Sequence, residues 1–148
     1  MQFVSKPFPE LSVTELYEAY ALRSAVFVVE QNCPYQDPDE KDPTALHLLM
    51  RQGDALAGYA RILPPGVSYK EPSIGRVVVA KAQRGQGAGQ ELMMHGIQLA
   101  RELYPGQDLV ISAQLYLLRF YSNLGFIAEG ETYPEDNIPH IKMRLPSM

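Results

Sequence analysis

The 148-residue chain is predicted to form one α/β (α+β) domain built on a mixed, twisted β-sheet flanked by helices. Short runs rich in β-branched residues alternate with two longer runs whose apolar residues recur at helical spacing, and Gly or Pro separates them. Hydrophobic residues make up 46% of the chain, which is enough for a full core at this length. The predicted order is β-α-β-β-β-α-β-α-β-β, with no composition shift that marks a second domain.

The first elements are a strand over residues 2–6 and a long helix. Ser12 and Glu15 have the spacing of a capping box, so the helix is predicted to begin near Val13. Its apolar stripe predicts an end near Glu30. Residues 31–43 contain three prolines and four acidic residues, a composition typical of a loop.

The middle of the chain alternates strand and turn signals. Residues 45–51 and 56–63 are predicted strands, joined by a hairpin turn at residues 52–54. A third, largely β-branched strand follows at residues 74–80. Apolar spacing predicts a helix over residues 90–104, which Pro105-Gly106 ends.

The last part of the chain is predicted to contain a strand at 108–113 and a short helix at 115–124. Two strands, at 126–128 and 138–145, complete the pattern. The final strand is the clearer of the two, because Ile141, Met143 and Leu145 alternate with polar residues.

Composition excludes several classes of function. The net charge of −4 and the lack of a basic face disfavour a nucleic-acid partner. The longest apolar runs, of about four residues, are far too short to span a membrane. The N-terminus lacks the apolar core of a signal peptide, and Cys33 is the only cysteine, so a reducing cytoplasm is expected. The three histidines share no metal-ligand spacing with Cys33, so no metal is expected.

A glycine-rich turn between a strand and a helix is the main functional signal. It comprises Arg84, Gly85, Gln86, Gly87, Ala88, Gly89 and Gln90. The first N–H groups of a helix have no partner within it, and the helix dipole favours negative charge there. Glycine lets the backbone approach a diphosphate closely. The chain is therefore predicted to bind a phosphorylated cofactor.

Two common phosphate motifs do not fit this turn. A nucleoside-triphosphate P-loop needs Lys-Ser or Lys-Thr after the glycines, and the dinucleotide fingerprint would need a third glycine where Gln90 stands. Arg84, Gly87 and Gly89 instead match the pattern Arg/Gln-x-x-Gly-x-Gly/Ala. That pattern resembles the pyrophosphate loop of the GNAT superfamily of N-acetyltransferases.

A second motif strengthens this resemblance. The sequence Phe120-Tyr121-x-x-x-Gly125-Phe126 is similar to the late signature of the same superfamily and follows the glycine turn at the expected distance. Further stretches at residues 26–35, 74–79 and 137–143 resemble the ElaA-type subgroup, so that the resemblance covers most of the chain. It implies a sheet whose fourth and fifth strands splay apart around acetyl-CoA, which serves as co-substrate.

The resemblance also implies site residues. Val77, Val78 and Val79 would bind the pantetheine through backbone groups, and the turn from Arg84 to Gln90 would cradle the pyrophosphate. Tyr121 would face the cofactor sulfur and act as general acid, since a phenol is protonated at neutral pH. Gln114 stands where many members of the family have an asparagine that contacts the cofactor.

Several alternatives stay open at this point. Glu30, His47, His140 or a chain of water molecules could serve as general base. The loop acids Asp37, Asp39, Glu40 and Asp42 either attract a cationic amine acceptor or are simply solvated.

The favoured function is acetyl transfer to a small-molecule or peptide amine. A non-catalytic acyl-CoA sensor is the alternative, whereas a purely structural domain would require both motifs to arise by chance. Whether the chain forms a homodimer is left open.

Overall fold

The structure is a computed structural model that describes residues 1–148, with seven strands and three α-helices in the predicted order. In chain order these are β1 (Gln2–Pro7), α1 (Val13–Arg23), β2 (Leu46–Gln52), β3 (Ala55–Leu63), β4 (Ser73–Val79), α2 (Ala88–Leu103), β5 (Leu109–Gln114), α3 (Leu118–Asn123), β6 (Ile127–Glu135) and β7 (Ile138–Leu145). None of the helices combines the length and the apolar character needed to cross a membrane.

Two antiparallel sheets meet along one seam. One has the strand order β1-β2-β3-β4 and the other β5-β7-β6. At the seam, Val110 N donates to Pro72 O at 3.1 Å, which joins the first residues of β5 to the residue before β4. The two strands therefore start side by side and run in the same direction, as the mixed sheet requires. No hydrogen-bonded ladder continues this contact, so β4 and β5 separate towards their carboxyl ends.

Hydrophobic clusters pack on both faces of the sheets. The larger one lies under α2 and α3, where Leu92 and Met93 are completely buried. Burial of such a side chain contributes roughly 1.5–3 kcal/mol. The smaller cluster lies under α1 and includes Phe27 and Tyr59. The seam is thus held between two packed layers.

The first helix begins as predicted. Glu15 N donates to Ser12 Oγ at 3.0 Å and Ser12 N donates to Glu15 Oε1 at 2.8 Å, which confirms the capping box. The helical course also reaches Glu30, but residues Ser24–Glu30 form a π-helix. Such wide turns are frequent at functional sites. Here the π-helix brings Glu30 and Gln31 to the seam.

The prediction for β6 was too short. The strand covers Ile127–Glu135 rather than residues 126–128. Most of its side chains are exposed, so it lacks the apolar alternation that marks a half-buried strand. Gly130, with φ of +76°, lies within an irregularity of its pairing with β7. The geometry of this strand is therefore set by β7.

Candidate active site

A cavity of about 960 Å³ lies between the separated ends of β4 and β5. Every residue proposed from the sequence to bind the cofactor lines it, except Gln86, and so does Tyr121. The lining members of that set are Val77, Val78, Val79, Arg84, Gly85, Gly87, Ala88, Gly89, Gln90 and Gln114. Elements far apart in the chain thus converge on one site.

The free edge of β4 faces this cavity. Ala80 N donates to Ala57 O at 2.8 Å, so position 80 faces β3. Since successive residues of a strand face opposite edges, the backbone groups of Val79 point away from β3. Arg84 Nε donates to Val79 O at 3.1 Å on that side. The remaining backbone groups of this edge are available to a ligand.

A β-bulge shapes the same strand. The pairing of β3 with β4 shifts between Tyr59 and Arg61, which places Arg76 and Val77 opposite the single residue Ala60. Arg76 has φ of +50°, in the left-handed region that few non-glycine residues adopt. Bulges bend a strand and leave one residue unpaired. The bulge therefore supports the separation of β4 from β5.

The glycine turn leaves the start of α2 open. Gly87 has φ of +77° and supplies no side chain to cap the helix. The first helical hydrogen bond runs from Glu91 N to Gly87 O at 3.0 Å. The N–H groups of Ala88, Gly89 and Gln90 consequently have no partner within the helix. Unpartnered donors of this kind, together with the helix dipole, favour a phosphate or another anion.

An ion pair joins the glycine turn to the end of the π-helix. Arg84 Nη1 and Nη2 donate to the two carboxylate oxygens of Glu30 at 2.5 and 3.0 Å. These hydrogen bonds lower the pKa of Glu30. Because a carboxylate with a lowered pKa is a weak base, Glu30 is a poor choice of general base.

Two glutamines connect the π-helix to β5. Gln31 Nε2 donates to Gln114 Oε1 at 3.1 Å, and Gln114 Nε2 donates to Gln31 Oε1 at 3.2 Å. The side chain of Gln114, which the family resemblance assigns to the cofactor, is therefore engaged within the protein. The pair uses one N–H and one oxygen lone pair of Gln114, so its second N–H and second lone pair remain for a ligand.

Tyr121 lies on α3 and is only 6% exposed. Phe120 and Phe126 pack on its ring edge-on, with centroids at 5.1 and 5.8 Å. Burial, followed by the neighbouring Tyr116, raises the pKa of Tyr121 above its usual value. The protein provides no hydrogen-bond partner for its hydroxyl, whereas the hydroxyl of a buried tyrosine usually has one. The hydroxyl is thus protonated and free to donate to a ligand in the cavity.

The acidic loop differs most from its predicted role. Asp37 and Asp42 are 2% and 1% exposed, and Arg23, which is completely buried, bonds both. Arg23 Nε lies 2.6 Å from Asp37 Oδ2, and Arg23 Nη1 lies 2.9 Å from Asp42 Oδ1. Both expectations, a solvated loop and acids that attract a cationic acceptor, are therefore wrong for Asp37 and Asp42. Glu40 is exposed.

Two further arginines extend this cluster. Arg61 Nη1 lies 2.6 Å from Asp39 and 2.8 Å from Asp42, and Arg76 Nε lies 2.8 Å from Asp37. Three guanidinium groups thus meet three carboxylates, which balances their charges. Since Arg76 is also the residue of the bulge, the cluster holds β4 in its bent form.

Acid should weaken this cluster. Burial acts to raise the pKa of Asp39, but hydrogen bonds and charge from Arg61 outweigh it and lower the pKa to about 2. A carboxylate with a lowered folded-state pKa stabilises the fold above its unfolded pKa, near 3.8, and loses that effect as the pH falls to about 2. We expect the unfolding free energy in urea to fall between pH 4 and 2. The unfolding free energy should decline less steeply in Asp39→Asn. An identical decline in the variant would show that Asp39 does not cause the loss of stability in acid.

His47 is excluded as a base by its surroundings. It is 1% exposed, its Nδ1 lies 2.6 Å from the Tyr59 hydroxyl, and its Nε2 lies 2.9 Å from Asp42 O. Both ring nitrogens are therefore occupied, and the residue does not line the cavity. Its burial lowers its pKa, so the ring is neutral and structural.

Sequence reasoning missed a group of polar side chains in the cavity. Ser112 Oγ donates to Glu135 Oε1 at 3.0 Å and hydrogen-bonds the Tyr133 hydroxyl. Tyr69 lies close by, and burial together with Tyr133 raises its pKa to about 12. The polar position 112 within the apolar strand β5 was the one available signal. The group also includes His140, one of the candidate bases. No group of three or more His, Cys, Asp or Glu side chains is placed to hold a metal ion.

Comparison with known proteins decides the family. A family model described as an acetyltransferase (GNAT) domain matches residues 15–147. The chain belongs to the GNAT acetyltransferase family. It is 46% identical over 136 residues to protein ElaA of Escherichia coli strain K12, with 90% of this chain and 89% of the relative covered.

Solved structures agree with this assignment. A crystal structure described as an acyl-CoA N-acyltransferase from Pseudomonas aeruginosa has a TM-score of 0.91 and 41% identity, over 97% of both chains. The crystal structure of E. coli ElaA has a TM-score of 0.90 and 43% identity, again over 97% of both chains. The predicted GNAT fold and the ElaA-type resemblance are confirmed.

Proposed function

We propose that this GNAT protein is an acetyl-CoA-dependent N-acetyltransferase, one domain over residues 1–148, that acetylates an amine acceptor. One observation carries the proposal. The cavity between β4 and β5 combines unpartnered N–H groups at the start of α2 with a protonated tyrosine. The first feature suits a phosphorylated carrier, and the second suits protonation of a leaving group.

Different residues of the cavity would bind the cofactor and assist the reaction. The N–H groups of Ala88, Gly89 and Gln90 would hold the pyrophosphate of coenzyme A, and the free edge of β4 would hold the pantetheine. The thioester supplies the acetyl group. A backbone N–H of β4 facing the thioester carbonyl would stabilise an oxyanion, an effect worth roughly 2.7–4 kcal/mol per donor. Tyr121 would give a proton to the departing sulfur.

Binding and turnover test the proposal separately. Calorimetry with acetyl-CoA measures binding, and release of free thiol across a panel of primary amines measures transfer. We expect saturable binding and amine-dependent thiol release. Failure to bind acetyl-CoA would contradict the proposal. Binding without turnover on any amine of the panel would favour an acyl-CoA sensor instead.

Gly87→Val is expected to weaken acetyl-CoA binding by tenfold or more. Valine disfavours the positive φ of Gly87, at a cost of roughly 1–2 kcal/mol, and relief of that strain turns the N–H groups of α2 away from the phosphate. Gly53→Val is the matched control, because Gly53 has φ of +60° in the exposed turn between β2 and β3, and no residue of that turn lines the cavity. Calorimetry should show wild-type affinity in the control. Equal affinities for acetyl-CoA in the two variants would contradict a role of the glycine turn in phosphate binding.

A further inference from the structure

One face of the second sheet carries polar side chains into the cavity. Across β5 and β7, Gln114 pairs with His140, and across β7 and β6, His140 pairs with Tyr133. Because side chains alternate along a strand, Ser112 and Glu135 lie on the same face. All except Tyr133 are among the residues that line the cavity. His140 thus lies at the centre of a polar surface.

The opposite face of the same strands is apolar. Ile141, next to His140, belongs to the core under α2, as does Tyr121. His140 and Tyr121 therefore reach the cavity from opposite faces of the sheet. A reacting group held between β4 and β5 would have one of them on each side.

Hydrogen bonding determines which nitrogen of His140 carries the proton. Its Nδ1 lies 2.7 Å from Ile138 O, and a carbonyl oxygen can only accept, so Nδ1 is the N–H donor. In the neutral ring, Nε2 then has a free lone pair. Nε2 lies 3.5 Å from Glu135 Oε2. When the ring is neutral, Nε2 and Oε2 are therefore both acceptors, and no hydrogen lies between them.

Both acceptors are held in place. Glu135 Oε1 accepts from Ser112 Oγ at 3.0 Å, which leaves Oε2 for the cavity. The His140 ring is stacked near Tyr133, with centroids 6.2 Å apart, and its side chain is 7% exposed, whereas that of Glu135 is 44% exposed. A primary ammonium group, which has three N–H donors and a positive charge, satisfies both acceptors at once.

We propose that Glu135 and His140 bind the acceptor as a primary ammonium and that His140 Nε2 removes its proton. This inference rests on the proposed acetyl transfer. One ammonium proton moves to Nε2, and the neutral nitrogen attacks the thioester carbon, so that a C–N bond forms and the C–S bond breaks. Tyr121 protonates the sulfur and regains a proton from the attacking nitrogen. His140 releases its proton to water, so one H⁺ is produced for each acetyl group transferred.

The surrounding charges favour this role. Lys142 Nζ on β7 lies 3.7 Å from Glu129 Oε1, so the charge of Lys142 is offset by that of Glu129. The same Nζ lies 5.6 Å from the centroid of the Tyr69 ring. Asp136 is the next acid in the chain after Glu135 and also lines the cavity. The guanidinium groups of the buried cluster are already paired with carboxylates. Glu135, whose Oε2 lies 3.5 Å from Nε2, is the carboxylate placed to stabilise the imidazolium of His140.

The tautomer of His140 can be tested without turnover. Long-range ¹H–¹⁵N spectra of ¹⁵N-histidine-labelled protein distinguish the Nδ1–H ring from the Nε2–H ring, and His140→Gln identifies the signals. We expect the neutral ring to be Nδ1–H. We also expect ethylammonium, added with coenzyme A, to shift the His140 signals in wild type but not in Glu135→Gln. An Nε2–H ring, or no shift, would overturn the proposal.

Kinetics provide the second test. His140→Gln should lower kcat/KM for a primary amine by about 10²–10⁴-fold at pH 7. The deficit should shrink as the pH approaches the pKa of the amine, about 10.4 for a lysine side chain, because water then supplies the neutral form. His95→Gln is the matched control, since His95 stacks on Phe3 outside the cavity. Wild-type activity in His140→Gln, or a deficit independent of pH, would overturn the role.

The two proposals can fail separately. His140→Gln should bind acetyl-CoA as tightly as wild type, because His140 lies on β7 and is not among the residues proposed to bind the cofactor. Loss of acetyl-CoA binding in the wild type would contradict the proposed function. Intact acetyl-CoA binding with the wrong tautomer would contradict only the role of His140. The nitrogen spectra decide this whether or not any amine of the panel is acetylated.

Discussion

Replacing Tyr121 with phenylalanine is expected to lower kcat by about 10²–10⁴-fold while the affinity for acetyl-CoA stays close to that of wild type. The change removes one hydroxyl from a ring that is packed between Phe120 and Phe126, so the packing is preserved. The hydroxyl has no partner within the protein, so its removal leaves no buried group unsatisfied. Steady-state kinetics and calorimetry on one preparation measure the two quantities.

The pH dependence of the loss of activity distinguishes the role of Tyr121 from that of His140. Burial raises the pKa of Tyr121 above its ordinary value near 10, so the phenol stays protonated throughout the neutral range. The deficit of Tyr121→Phe should therefore be constant between pH 7 and 9, whereas that of His140→Gln should shrink as the pH rises. A tyrosine that only positions the substrate would instead raise KM.

Tyr116→Phe is the matched control for this experiment. Tyr116 lines the same cavity but is 72% exposed, and the substitution makes the same chemical change. We expect near wild-type kcat. An unchanged kcat in Tyr121→Phe, or an equal loss in both variants, would reject Tyr121 as the general acid.

Local features of this site could be predicted from the sequence. The glycine turn and the first turn of α2 are adjacent in the chain, so their geometry follows from local backbone preferences. The final strand, Ile138–Leu145, was predicted with its correct bounds because one face is buried and its apolar residues alternate. The capping box could also be predicted, because its two partners, Ser12 and Glu15, lie within one turn of the chain.

Contacts between distant segments could not be predicted. Gln31 and Gln114 lie 83 positions apart, and no periodicity links them. Glu135 lies in the part of β6 that the prediction left out, because an exposed strand has no apolar pattern. Its place beside His140 follows from the pairing of β6 with β7, which only the fold determines. Sequence reasoning could therefore not place Glu135 beside His140.

The burial of the charged cluster could not be predicted for a different reason. A loop rich in Asp and Pro has the composition of a solvated segment, and charged residues are almost never fully buried unless they are paired. The pairing depends on Arg23, which lies 14 and 19 positions before Asp37 and Asp42 in a helix predicted for its apolar stripe. Composition therefore indicated an exposed loop where the fold places an interior one.

Arg23→Met is expected to lower the free energy of unfolding by about 3–5 kcal/mol. Methionine removes the guanidinium that bonds Asp37 and Asp42 but keeps much of the side-chain volume. The two carboxylates are then left buried with only Arg61 and Arg76 as partners, and a buried charge without its partner is costly. Urea denaturation monitored by circular dichroism measures the change.

Arg51→Met is the matched control, because Arg51 pairs with Glu18 at 2.8 Å nearer the surface, with side chains 18% and 26% exposed. We expect a loss of about 1 kcal/mol or less there. Adding Asp37→Asn to Arg23→Met should recover part of the lost stability, because two carboxylates, Asp39 and Asp42, then face the two remaining guanidinium groups. If the two arginine variants lose the same stability, or if Asp37→Asn destabilises Arg23→Met further, then burial of unpaired charge is not what makes Arg23 important. The recovery is the sharper test, since loss of packing alone would not be reversed by removing a charge.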